Sequence, residues 1–252
     1  MTPLLEVRGL SRAFGGVQAV DDVGFTLDRG RLLALIGPNG AGKTTCFNII
    51  NGQLAPDRGS IRFAGREIVG LAPHRIWRLG VGRTFQITAT YPSMTVCENV
   101  QMALLSHHRR LYSFRGRAAA QYRDEALDLL ARVDMAEQED RACSVLAYGD
   151  LKRVELAVAL ANAPSLLLMD EPTAGMSPRE RLELMRLTAA IVSERDIAVL
   201  FTEHDMDVVF RHADHILVLD RGKLIAGGAP EAVRSDPRVR AVYLGSEADA
   251  GA

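Results

Sequence analysis

Unbroken apolar runs and helical periodicity divide the chain between them. RLLALIG, residues 31–37, is a continuous apolar run of the kind that forms a strand buried on both faces. Three more such runs come late in the chain: SLLLMD after Pro164, IAVLFT at 197–202 and HILVLD at 215–220. Near the start, LLEVRGLSRAF and VDDVGFTLDRG read as short strands with turn punctuation, and GSIRFAGREI as a further strand and turn. KTTCFNIIN reads as a helix, with Gly52 placed as its C-terminal cap. Another helix start is marked at Ser177, which serves as cap, with Pro178 suited to the first position and Glu180 completing a capping box. At 144–160, SVLAYGDLKRVELAVAL, a glycine-containing turn runs into a helix whose apolar residues Leu151, Val154, Val158 and Ala161 predict one buried face. The final SEADAGA is small and acidic and predicts a frayed end.

Strands alternating with helices predict an α/β fold with a parallel sheet covered on both faces. From about 88 to 163 the pattern is mostly helical, so this stretch reads as an inserted subdomain. Residues 1–87 and 164–252 then form the core of a single domain spanning 1–252.

Composition changes this picture little. The 252 residues are 48% hydrophobic and 24% charged, ordinary globular values, with a net charge of −1. A neutral chain carries no global field that would draw it to nucleic acid or anionic lipid, so no nucleic-acid partner is expected. Three separated cysteines, Cys46, Cys97 and Cys143, fit free thiols in a reducing compartment better than a disulfide framework or a zinc site. No apolar run approaches membrane-spanning length, and MTPLLEVRGL lacks signal-peptide character.

Chemistry enters at GPNGAGKTT, residues 37–45. Gly37, Gly42, Lys43 and Thr44 fit G-x-x-x-x-G-K-[ST], with an apolar strand before and a helix after. In such a loop the backbone N–H groups of Asn39, Gly40, Ala41, Gly42, Lys43, Thr44 and Thr45 converge on phosphate oxygens. Lys43 adds a charge near the β- and γ-phosphates, and the Thr44 hydroxyl is a ligand for Mg²⁺. LLLMDE carries Asp170 to the C-terminal edge of the sheet, where open α/β sheets bind ligands, and offers it to the metal through water. Glu171 follows, free to polarise a water for attack on the γ-phosphate.

These motifs occur in an order that is similar to one family. The P-loop, TFQ ending in Gln86, LAYGD at 146–150, LLLMDEP at 166–172 and TEHD containing His204 resemble the nucleotide-binding subunit of an ATP-binding cassette (ABC) transporter over nearly the whole chain. The resemblance implies a P-loop NTPase (RecA-like) core with an antiparallel β subdomain and an inserted α-helical signature subdomain. It implies an ATP hydrolase using ATP and Mg²⁺. Phe14, which chemistry alone would place in a core, becomes the aromatic that stacks on adenine. Gln86 links the metal and water site to the transporter, and His204 contacts the γ-phosphate. Tyr148 and Gly149 meet the γ-phosphate held by a second nucleotide-binding subunit, in a homodimer or heterodimer.

The sequence also departs from the family. Its usual Leu-Ser-Gly-Gly is here Leu146, Ala147, Tyr148, Gly149, so a serine hydroxyl is missing. The segment after the glutamate usually carries a serine and a final aspartate but here reads Ala174, Gly175, Met176, Ser177. Cys46 is expected to pack behind the P-loop as a possible alkylation point. Arg115, Arg117 and Arg123 read as a solvated helix face or a face toward lipid headgroups.

LAYGD, TEHDMDVV, MTVCENV and PEAVRSDPRVRAVYLG resemble the cassettes of branched-chain amino acid importers, a branch that also carries urea, short amides and aromatic acids. The resemblance implies a peripheral subunit on the cytoplasmic face of an inner membrane. It would be joined to membrane-spanning permease subunits and, through them, to a substrate-binding protein. ITATYPSM, with Ile87, Tyr91 and Met94, reads as a docking stretch for a membrane subunit or as packing under the helical subdomain. Two other readings remain: an ATP-gated clamp or assembly module with incidental hydrolysis, or a soluble ABC ATPase not involved in transport. The long coiled-coil insertion and tandem second cassette of such proteins do not occur in this sequence.

Overall fold

The computed structural model describes residues 2–84, 90–108 and 122–249, with side chains through 243. Two sheets share the fold. Strands β1 (Leu5–Phe14), β2 (Val17–Leu27), β4 (Arg58–Phe63) and β5 (Arg66–Glu67) form an antiparallel sheet in the order β2-β1-β4-β5. The larger sheet has β3 (Leu32–Ile36), β6 (Val81–Thr84), β7 (Leu166–Asp170), β8 (Ala198–Thr202), β9 (His215–Asp220) and β10 (Lys223–Gly228) in the order β10-β9-β3-β8-β7-β6. It is parallel except for its edge strand β10.

The apolar runs are unbroken because both faces of this sheet are covered. Leu33, Leu35, Leu166, Leu168, Ala198 and Leu200 point into a core shared with the antiparallel sheet and α1 (Lys43–Ile50). Their neighbours Ala34, Ile36, Leu167, Met169, Val199 and Phe201 point into a second core, shared with the helices of the inserted block.

That block holds α3 (Val96–His107), α4 (Arg123–Arg132) and α5 (Tyr148–Leu160). Thr95 and Glu98 form a capping box at the head of α3. Burial on α5 is wider than the single stripe predicted. Gly149, Lys152, Glu155, Leu156, Ala157, Ala159 and Leu160 are buried along with Val154, whereas Leu151 and Val158 are only half-buried. The helix is enclosed by α3, α4, β6 and α6 (Pro178–Arg195), so its polar positions are covered as well. Lys152 and Glu155 make this tolerable by pairing at 3.0 Å.

Ser177 and Glu180 form the capping box predicted for α6, with the Ser177 amide and hydroxyl donating to the Glu180 carboxylate at 2.9 and 2.6 Å. Asn51 ends α1, and Gly52 follows at φ 78°, the left-handed conformation that glycine adopts without strain. The short helices α2 (Pro73–Arg78), α7 (Met206–His212) and α8 (Pro230–Ser235) complete the chain with α9 (Pro237–Asp249). Helix α9 continues through most of the terminal segment predicted to fray; Val239, near its start, is buried against the main core and anchors it.

Candidate active site

The phosphate loop leaves β3 at Gly37. Its glycines are required by close backbone approach. A Cβ on Gly37 would lie 2.0 Å from the Leu219 carbonyl oxygen, and one on Gly42 would lie 2.2 Å from that of Ala19. Both also have left-handed φ, 152° and 106°. The loop is braced within, where Ala41 donates to Pro38 at 3.1 Å, and from outside, where Gly222 donates to Ala41 at 2.9 Å and is itself held by Asp21, which donates to it at 2.8 Å. Asn39, Gly40 and Thr44 stand exposed at its mouth, with Thr45 half-buried.

Lys43 opens α1 and is buried. Its ammonium donates to the carbonyls of Gly37 at 2.7 Å and Pro38 at 3.2 Å. Burial pushes its pKa below the ordinary lysine value, opposed by the carboxylates of Glu171 and Asp170. Lysine and both acidic residues therefore share one electrostatic site.

Asp170 closes β7 in register with Thr202 at the end of β8. Its carboxylate accepts from the Thr202 hydroxyl at 2.7 Å and lies 3.6 Å from Arg83 on β6. Arg83 is held by Asn48 at 3.1 Å and Gln53 at 3.0 Å, and burial lowers its pKa against the pull of Asp170. Glu171 follows in the left-handed region at φ 49°. Its amide donates to the Thr202 hydroxyl at 3.0 Å, and its carboxylate lies 2.8 Å from His204 Nε2. The backbone behind them is fixed by buried Glu203, which accepts from the amide and hydroxyl of Thr173 at 2.8 and 2.7 Å.

Sequence reasoning passed over Arg83, Thr202, Glu203 and Thr173. Thr202 and Glu203 lay inside the quoted TEHD stretch, where the histidine drew attention away from them. Arg181 had no signal: its guanidinium donates to the Met176 carbonyl at 2.8 Å and to Asp205 at 2.7 Å.

Phe14 is not a core residue. It is 43% exposed at the end of β1, with the Arg12 guanidinium 5.0 Å from its ring centroid. Asp57 holds Arg12 at 2.7 Å and accepts from the Ala13 amide at 2.8 Å, which fixes the strand end that presents the ring.

Ala147 caps α5 without a side-chain bond, and Tyr148 is exposed. Gly149 is buried: a Cβ there would lie 2.6 Å from the Glu180 carboxylate. Its lack of a side chain is explained first by the seat it makes for Glu180. The Tyr148 ring packs against Gly175, 3.3 Å from where a Cβ on that glycine would stand.

Cys46 is fully buried behind the phosphate loop as expected, and burial pushes its pKa up to about 12, which works against the alkylation expected of it. Arg123 pairs with Glu139 at 3.0 Å on the protein's surface. Gln86, Ile87, Arg115 and Arg117 lie outside the described residues.

A metal ion fits the chemistry of this edge. Hydroxyl and carboxylate oxygens from Thr44 and Asp170 are hard donors of the type Mg²⁺ takes. Asp170, buried and positioned by Thr202, is the fixed member of that set.

A family model described as ABC transporter matches residues 20–174, more than half of the chain. The chain belongs to the ABC transporter ATP-binding family. A second model, described as branched-chain amino acid ATP-binding cassette transporter, matches residues 223–249 of this cassette. The cassette is 40% identical to the high-affinity branched-chain amino acid transport ATP-binding protein BraF of Pseudomonas aeruginosa, over 96% of this chain and 98% of that protein. It is also 40% identical to LivG of Escherichia coli K12, with the same coverage. The probable LivG of Archaeoglobus fulgidus is 34% identical, over 97% of this chain and 96% of that protein. The ADP conformation of MJ1267, an ATP-binding cassette of an ABC transporter, superposes with a TM-score of 0.87 at 29% identity, covering 97% of this chain and 100% of that one.

The cassette binds and hydrolyses ATP, and importer cassettes of its family dimerise and work with membrane permeases. Among the described residues no helix is long and apolar enough to cross a membrane.

Proposed function

We propose that this cassette powers the uptake of branched-chain amino acids, or of related small solutes such as urea, amides or aromatic acids, from the cytoplasmic face of a membrane. The observation that carries the substrate class is the match of residues 223–249 to the branched-chain family, beside the resemblance to BraF and LivG over almost the full length. These relatives do not favour a clamp, an assembly factor or an ATPase outside transport.

In this reading the P-loop amides from Asn39 to Thr45 and Lys43 hold the triphosphate, and Phe14 stacks on adenine. Thr44 and Asp170 would hold Mg²⁺, joined by Gln86 as the family resemblance implies, and the ion when bound would neutralise phosphate charge. Glu171 takes the proton of the attacking water. His204 holds the Glu171 carboxylate at its 2.8 Å separation and reaches for the γ-phosphate. Tyr148, with the helix head at Gly149, faces the nucleotide of a second subunit.

A cleft of 420 Å³ supports the seat of the permease. It opens between α2, β6, α3 and α5, and its wall is mostly apolar: Ile76, Trp77, Val81, Ala103, Val158 and Ala159. An amphipathic helix from a membrane subunit suits such a groove. Tyr91, 55% exposed, and half-buried Met94 stand apart from the cleft lining.

The test is uptake in proteoliposomes holding the cassette with its permease subunits and binding protein. ATP-dependent accumulation of labelled leucine is expected, with competition by isoleucine and valine. Transport of urea, amides or aromatic acids without leucine would move the substrate within the branch. ATP turnover with no solute transport and no co-purifying membrane subunit would overturn the reading.

A further inference from the structure

Asp170 ends β7 between two partners, one on each neighbouring strand. Thr202 is its register partner on β8, and the threonine hydroxyl donates to Asp170 Oδ1 at 2.7 Å. On the other side, Arg83 of β6 is in register with Leu168, two residues before Asp170. Residues two apart on a strand share a face, so the arginine and the aspartate project to the same side of the sheet. Arg83 Nη2 lies 3.6 Å from Asp170 Oδ2, so the two carboxylate oxygens are held from opposite strands.

A long side chain loses rotamer freedom in such a pair and needs an anchor to stay there. Arg83 is anchored through its other terminal nitrogen. Nη1 donates to Asn48 Oδ1 at 3.1 Å and to Gln53 Oε1 at 3.0 Å. Asn48 lies on α1, the helix that Lys43 opens, and Gln53 stands exposed just beyond the end of that helix. Gln53 and Arg83 both line the cleft between α2, β6, α3 and α5. Polar contacts therefore run from the cleft wall at Gln53, through Arg83, to the carboxylate of Asp170. The planar guanidinium keeps the directions to the amides and to the carboxylate fixed relative to one another.

We infer that Arg83 is a positioning residue for Asp170: it fixes the carboxylate in one orientation for the metal, and is itself set from the cleft wall through Gln53. The inference rests on the reading of Asp170 as a metal ligand. It does not depend on what fills the cleft or on which solute is transported. The rival role for Arg83 is charge alone, and the two roles have opposite signs. A cation 3.6 Å from the carboxylate opposes a second cation there, so removing its charge would tighten metal binding. Removing a group that orients the ligand loosens it.

The test is the affinity of the full chain for a fluorescent ADP analogue, measured in excess Mg²⁺ and in EDTA. The ratio of the two dissociation constants reads what the metal adds, independently of turnover. Arg83→Met is expected to lower that ratio about tenfold, the low end for loss of an orienting partner. Affinity in EDTA should stay within about twofold of wild type, because the phosphate loop and Lys43 are untouched. Gln53→Ala, at an exposed position, should lower the ratio about two- to threefold, as one lost hydrogen bond would. A ratio that rises in Arg83→Met, or stays at the wild-type value in both variants, would overturn the inference. So would equal loss of affinity with and without Mg²⁺, which marks a role in the fold alone. A fall in Arg83→Met with none in Gln53→Ala would remove the cleft wall from the chain of contacts. Asp170→Asn separates the inference from the reading beneath it and should lower the ratio at least as far as Arg83→Met. A ratio lost in Asp170→Asn but kept in Arg83→Met overturns the inference alone; a ratio kept in Asp170→Asn overturns both.

Discussion

His204 Nε2 lies 2.8 Å from Glu171 Oε1, and the sheet puts it there. Asp170 and Thr202 are register partners on adjacent parallel strands, so the residues that follow them leave the same edge side by side. Glu171 then turns through the left-handed region and presents its carboxylate to the histidine. Removing the base with Glu171→Gln is expected to lower ATP turnover about 10²–10⁴-fold while nucleotide affinity stays near wild type. His204→Ala should lower kcat at least about tenfold, also with affinity intact. Steady-state turnover beside equilibrium nucleotide binding checks both. Turnover within threefold of wild type for Glu171→Gln would remove it as the base.

Arg181 joins the loop after Glu171 to the cap of the helix after His204. Burial works to raise the Asp205 pKa, but the bond from Arg181 and the amides of Val208 and Asp207 outweigh it and hold the carboxyl below the ordinary aspartate range. A depressed carboxyl contributes stability that is present above the unfolded pKa, about 3.9, and lost as pH falls through the folded value. Arg181→Met is therefore expected to cost about 1 kcal/mol at pH 7, and the gap from wild type should narrow below about pH 4. Urea melts across that range measure it; a gap that does not change with pH separates Arg181 from Asp205.

Gly149→Ala is expected to destabilise the isolated subunit by about 1 kcal/mol. The new methyl displaces the Glu180 carboxylate, which Ser177 holds at 2.6 Å, and α6 loses its capping box. Gly149→Asp would therefore confuse loss of subunit pairing with loss of fold. Ala147→Ser is the cleaner probe. It supplies the side-chain cap that α5 lacks and should raise stability by about 0.5–1 kcal/mol. In a Glu171→Gln background it should also strengthen dimerisation with ATP and not with ADP. Sedimentation with each nucleotide decides this, and equal dimerisation with both would remove the hydroxyl from the interface.

A charge in the apolar cleft should release the permease without harming the nucleotide site. Ala103→Glu lies on the lining, where its helix is only partly covered. It is expected to reduce recovery of the cassette with its membrane subunits about tenfold or more, with ATP turnover of the isolated subunit unchanged. Full recovery of the complex would place the docking site elsewhere.

The buried strands were legible because burial on two faces leaves an unbroken apolar run, and the phosphate loop because its glycines and lysine have fixed spacing. The capping box at Ser177 and Glu180 was legible for the same reason: the spacing is local. Contacts between distant segments were not. Nothing in Gly149 announces Glu180, nothing in Arg83 announces Asp170, and the burial of Cys46 depends on strands far from it in sequence. Strand β6 is short and contains Gly82 and Arg83, so it carries little apolar signal, although it completes the edge on which Asp170 sits.

The seat of Gly149 on Glu180 also has a mechanical side. The helical block meets α6 where Gly149 leaves room for the Glu180 carboxylate and where the Arg153 guanidinium reaches Glu183 at 2.9 Å. Room at one point and an ion pair at the other make the seam both close-fitting and adhesive. The resting position of the signature segment is thus set by attraction as well as by shape, and any swing of the block away from α6 has to part that ion pair.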